Sequence, residues 1–145
     1  MPPLVYQQLN DDYVDDLDPS AVTQLICEEI EQKHDGLFGH IYYGRVASAS
    51  PVLNFAYFVE SGIFLSINLG SSQSINGVFV FEASGDYITR HELIWGQDRV
   101  TIPCAFCMPV AIGLQIIEHF CRTGDKTDDP RWRDHNQVAW DWDTP

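Results

Sequence analysis

Two cysteines three apart, Cys104 and Cys107 in Pro-Cys-Ala-Phe-Cys, are the residues of this chain best placed by type and spacing to do chemistry. In the zinc-dependent nucleic-acid deaminases, Pro-Cys-x-x-Cys supplies two thiolate ligands, His-x-Glu supplies the third, and its Glu moves protons. None of the five histidines here (His34, His40, His91, His119, His135) has Glu two residues on; His91 and Glu92 are adjacent instead. Without that carboxylate nothing carries the proton, and zinc-bound water alone is a poor catalyst. Structural zinc needs two further ligands, but Cys121 and His119, two apart on a helix, point to different faces. A redox dithiol needs an exposed thiolate at a helix start, whereas Pro103, Ala105, Phe106 and Met108 surround this pair with apolar groups. Both cysteines therefore read as packing at the entry to a helix, and no catalytic residue, metal or cofactor is assigned. A small zinc- or thiol-dependent protein built on Cys104 and Cys107 is the alternative.

Other catalytic templates fail sooner. The chain has no G-x-S-x-G, P-loop, G-x-G-x-x-G or H-E-x-x-H. The adjacent pairs Asp15-Asp16 and Asp128-Asp129 lie in polar stretches where carboxylates are solvated. The aspartate run "NDDYVDDLD" lacks the alternation and the glycine of a calcium loop.

Charge says more about partners. Eight Lys and Arg against 21 Asp and Glu give a net charge of -13. Residues 1–89 hold only Lys33 and Arg45 against 12 acids, a net of -10, so the excess is concentrated there. A surface this negative repels phosphate backbones, which excludes direct nucleic-acid binding and favours a basic protein partner. The candidate contact residues are Asp11, Asp12, Asp15, Asp16, Asp18, Glu28, Glu29 and Glu31. Trp140, Asp141 and Trp142 at the "WDWD" tip join them, because tryptophan anchors dominate interfaces.

The elements that must position these residues follow from periodicity. "DPSAVTQLICEEIEQKHDG" predicts a helix capped by Asp18, with Pro19 in its first turn and Val22, Leu25, Ile26 and Ile30 on one face. Lys33 and His34 fall in its last turn and Gly36 ends it. From Gly39 to Trp95, "GHIYYGRVA", "LNFAYFV", "IFLSINL", "GVFVFE" and "YITRHELIW" are short strands between turn signals, too close for crossover helices. A second helix runs from Pro109 to the stop at Gly124, with Val110, Leu114, Ile117 and Cys121 in one row. "QVAWDW" suggests a last strand. The expected fold is α+β: an antiparallel meander sheet with an N-terminal and a C-terminal helix packed on one face. A single domain, 1–145, is expected, with 1–18 as an acidic arm. The first ten residues show no secretory pattern, and the longest apolar run, Ile102 to Leu114, is too short to span a bilayer. Four sparse cysteines suit reduced thiols, so a soluble, cytoplasmic protein is expected.

The order of features from Glu92 onward resembles immunity protein family one of bacterial polymorphic-toxin and contact-dependent inhibition systems. The resemblance rests on Ile102-Pro103, Met108-Pro109, Phe120, Thr123-Gly124 and Trp132, with the strands from Glu60 to Trp95 fitting more loosely. "DKTDDP" stands where that family has a shorter link containing Arg-Pro. The resemblance implies a cytoplasmic antidote that binds and blocks a cognate toxin domain, often a nucleic-acid deaminase or nuclease. It implies no catalytic residues and no cofactor.

Overall fold

Residues 4–8, 14–32, 35–44, 51–69, 77–95 and 98–135 are described by the structure, a computed structural model. In chain order the strands and helices are β1 (Leu4–Gln8), β2 (Val14–Leu17), α1 (Pro19–Glu31), β3 (Leu37–Tyr43), β4 (Val52–Phe58), β5 (Gly62–Asn68) and β6 (Val78–Phe81). They continue with β7 (Arg90–Trp95), β8 (Asp98–Pro103), β9 (Cys107–Met108), α2 (Val110–Thr123) and β10 (Trp132–Asp134). The β-branched and aromatic runs between 37 and 81 form the expected meander, and every pairing in the sheet is antiparallel. The strand order is β10-β6-β5-β4-β3-β1-β2. β9 pairs with Ile63 and Phe64 of β5, while β6 pairs further along, from Ser66 to Asn68.

Successive side chains of a strand point to opposite faces, so each central strand feeds two cores. Ile63, Leu65 and Ile67 of β5 and Leu53, Phe55 and Tyr57 of β4 pack with Val22 and Ile26 of α1 and Ile116, Ile117 and Phe120 of α2. The two helices therefore lie on one face, as expected. On the other face Ala56, Phe58, Phe64 and Val80 pack with Leu93, Val100 and Ile102 of a separate β7–β8 hairpin and with Ala105 and Phe106. Burial on both faces explains why "LNFAYFV" and "IFLSINL" are nearly continuous in apolar residues rather than alternating. Each fully buried Phe or Leu contributes about 1.5–3 kcal/mol of transfer free energy.

The helix ends follow their residues. The Asp18 carboxylate accepts from the Ala21 amide at 2.8 Å, and Pro19 opens α1. Pro109 is the cap of α2, and Gly124 closes it in the left-handed region, donating its amide to Phe120 O at 2.7 Å. Two glycines set distances between layers. At Gly62 φ is +95°, and a Cβ there would stand 2.1 Å from Met108 O, so only glycine lets β9 reach β5. At Gly113 a Cβ would meet Ile63 Cβ at 3.0 Å, which seats α2 directly on β5.

Three features differ from the sequence expectation. β7 leaves the meander, because it pairs with β8 and its buried Leu93 packs against the face opposite the helices. Leu4–Gln8 and Val14–Leu17, within the stretch read as an arm, are strands, and β1 inserts between β2 and β3 with Leu4 and Tyr6 in the helix-side core. Pro-Cys-x-x-Cys does not lead straight into a helix. Pro103 ends β8, residues 104–106 form a single 3-10 turn, Cys107 and Met108 are β9, and α2 begins only at Val110. The last described strand is β10, ahead of "QVAWDW", which lies outside the described residues, as do Lys33 and His34.

Phe120 is fully buried at the helix–sheet contact. Phe120→Ala should lower unfolding stability in a urea melt by about 3–5 kcal/mol. Gly62→Ala should destabilise the fold in the same melt by more than about 1 kcal/mol, since strain and the Met108 carbonyl both oppose it.

Candidate functional site

The expected contact residues divide by position. Asp11, Asp12, Trp140, Asp141 and Trp142 lie outside the described residues. Asp15 and Asp16 sit in β2, an edge strand among the described residues, and only their backbone is described. Asp18 is exposed but partly committed, because its carboxylate caps α1. Glu28 and Glu31 are exposed and Glu29 is half-buried. With Val22 and Ile26 turned inward, the spacing of Ser20, Gln24, Glu28 and Glu31 puts them on one outward stripe of α1, and Gln24 Nε2 donates to Glu28 Oε1 at 3.2 Å. Burial, and behind it Glu31 and Glu28, push the neighbouring Cys27 thiol up, so the two carboxylates act on one spot.

Four of the six cations of the C-terminal half are differently placed. Arg122 pairs with Glu118 at 2.8 Å, Arg131 with Asp129 at 2.9 Å and Arg133 with Glu82 at 3.6 Å. Lys126 stands 5.2 Å over the Phe79 ring. The Arg131 partnership holds the Asp129 carboxyl below the usual carboxylate range. Among the described residues no cation pairs with Asp18, Glu28, Glu29 or Glu31.

Two polar groupings escape any sequence pattern. On the sheet face opposite the helices, register places His40 beside Asn54 and Asn54 beside Ser66, and His40 Nδ1 lies 2.5 Å from Asn54 Oδ1. Burial lowers the His40 pKa, and the bond to Asn54 opposes that effect. The second grouping sits where the hairpin meets the β4–β5 turn. Ser61 Oγ is 2.6 Å from His91 Nε2 and 3.3 Å from Cys104 Sγ, and the His91 ring stacks on Phe58 with centroids 4.5 Å apart. These partners are 30 and 43 residues apart in sequence, so no local spacing could have joined them.

The two cysteines of the opening motif have separate fates. Cys107 is buried, and desolvation, aided by Cys104, pushes its thiol up to about 12. Cys121 is likewise buried and pushed up to about 12, by desolvation first. Cys104 is half-buried, and the hydroxyl beside it, that of Ser61, is the one that meets His91. Among the described residues no three of His, Cys, Asp or Glu converge as a metal set, and no helix is long and apolar enough to cross a membrane. No family model, curated protein or solved structure matches the chain.

The His40 environment sets a pH dependence. A folded pKa below 6.5 means that the unfolded chain binds more protons just below that value, so stability rises with pH there. Acidification from neutrality through 6.5 should therefore destabilise the fold progressively, until His40 protonates in the folded state as well. In urea melts across that range, His40→Gln should flatten the slope.

Proposed function

We propose that this chain is an acidic binding protein that neutralises a basic partner, a cognate bacterial toxin domain acting on nucleic acid as a deaminase or nuclease, in the cytoplasm. The observation that carries this function is the electrostatic asymmetry of the surface. The carboxylates on the outer stripe of α1 have no cation partner among the described residues, while Arg122, Arg131 and Arg133 are each neutralised within the chain. With a net charge of -13, such a surface attracts a cationic cleft and speeds encounter with it. A domain that handles nucleic acid presents Lys and Arg to phosphates, and carboxylates can occupy the same positions. The choice of a toxin as the partner rests on the resemblance carried by Ile102-Pro103, Met108-Pro109, Phe120, Thr123-Gly124 and Trp132. A basic partner of another kind, met by an acidic adaptor or nucleic-acid mimic, is the alternative the same stripe supports.

The test is co-expression with the protein encoded immediately upstream of this gene, followed by purified binding. Cells should survive that protein only when this chain is present, and the two should co-purify. Failure to protect sinks the toxin assignment, and capture of only unrelated basic proteins favours the adaptor. Glu28→Lys with Glu31→Lys should slow association by roughly tenfold at low salt and much less at high salt, since screening removes steering. Equal effects at both salts would place the contact elsewhere.

A further inference from the structure

We propose that Cys104 is a reactive thiol, activated through Ser61 by His91, and that it is a site of reversible S-thiolation by small disulfides. The three heavy atoms form one chain of hydrogen-bonding contacts, Sγ to Oγ at 3.3 Å and Oγ to Nε2 at 2.6 Å. With a neutral imidazole protonated on Nδ1, the Cys104 thiol donates to Ser61 Oγ and the Ser61 hydroxyl donates to His91 Nε2. Moving one proton along each link reverses both bonds. Nε2–H then donates to Oγ, and the hydroxyl donates to a Cys104 thiolate. The stack on the Phe58 face fixes the plane of the ring.

The backbone around the cluster selects the chemistry. Acyl transfer needs free amide donors for an oxyanion. Amides of the segments that carry Ser61 and Cys104 are already used: Ser61 N donates to Phe58 O at 3.1 Å, Cys104 N to Thr89 O at 2.8 Å and Ala105 N to Asp86 O at 2.7 Å. Cys107 N donates to Cys104 O. Thiol–disulfide exchange needs no such hole, because the charge passes to the departing sulfur. In the step, Cys104 Sγ bonds to one sulfur of a small external disulfide and the old S–S bond breaks. The thiol proton moves to Ser61 as the Ser61 proton moves to His91, and the departing thiolate takes a proton back from His91. One disulfide and one thiol become one mixed disulfide and one thiol, with no other oxidant. Half-burial leaves Cys104 open to a small reagent, whereas Cys107 and Cys121 are enclosed.

The test treats the full chain at neutral pH with dithiodipyridine, an uncharged disulfide that the net charge of -13 does not repel. The first equivalent of thiopyridone released should coincide with a mass increment on the peptide containing Cys104, and Cys104→Ser should abolish that phase. Ser61→Ala and His91→Ala should each slow it by about tenfold, because a free thiol is only a few per cent thiolate at neutral pH. Added imidazole should restore the rate of His91→Ala, which a purely structural histidine would not allow. First labelling at Cys27, Cys107 or Cys121 in the unsubstituted chain would overturn the proposal. So would a Cys104 rate unmoved by both substitutions, or one that imidazole does not restore in a folded His91→Ala. Rapid labelling of every remaining thiol would report an unfolded variant, and the order of labelling in the unsubstituted chain then decides.

Discussion

Burial of β4 and β5 on both faces is the constraint on which the other layers depend. A strand packed on one side only can carry polar residues on the other, but these two must satisfy a helical layer and a hairpin layer at once. Their backbone groups are engaged along both edges, β4 by β3 and β5, and β5 by β4 together with β6 and β9. The close approaches at Gly62 and Gly113 follow from this, since α2 and β9 both come down on β5 and side chains there would hold them off. The turn at Ser61 is fixed by the same strands, and so is the position of the hydroxyl that links His91 to Cys104.

What the sequence made legible was the part governed by short-range rules. Short β-branched and aromatic runs between turn signals gave β3 to β6, and the cap at Asp18 and stop at Gly124 gave the helices. Elements whose existence depends on a distant partner were not legible. "LVYQQ" and "WRD" are too short to announce themselves, and become strands because β3 and β6 offer open edges to them. β7 was read as one more strand of the meander because pattern alone does not say which sheet a strand joins. For the site, the outward position of Glu28 and Glu31 followed from helical spacing, whereas His40 with Asn54 and Ser61 with His91 are meetings across the sheet and between layers.

The cysteine motif shows how one local sequence can serve several structural duties. Its proline ends a strand, its first cysteine begins a 3-10 turn, and its second starts a two-residue strand on β5. Apolar neighbours were good evidence for burial of Cys107 and of Phe106, yet poor evidence for Cys104, because a turn of three residues rotates its side chains to different environments. The acidic stripe is on the helical layer and Cys104 lies with the hairpin layer, so the two features are carried by opposite sides of the sheet.

The placement of β10 has a consequence for the order of events in folding. Phe58 and Gly62 pair across a connection of three residues, whereas Trp132 and Phe81 pair across 50 residues that include the hairpin and α2. Closing so long a loop carries an entropy cost that local turns escape, so the meander is the natural nucleus and β10 a late arrival. Trp132 meets the Phe81 ring edge-on with centroids 5.1 Å apart, and so completes a core most of which is already assembled without it. Until it docks, the edge of β6 stays open, a template on which another chain could pair, and the speed of that final docking sets how long the hazard lasts.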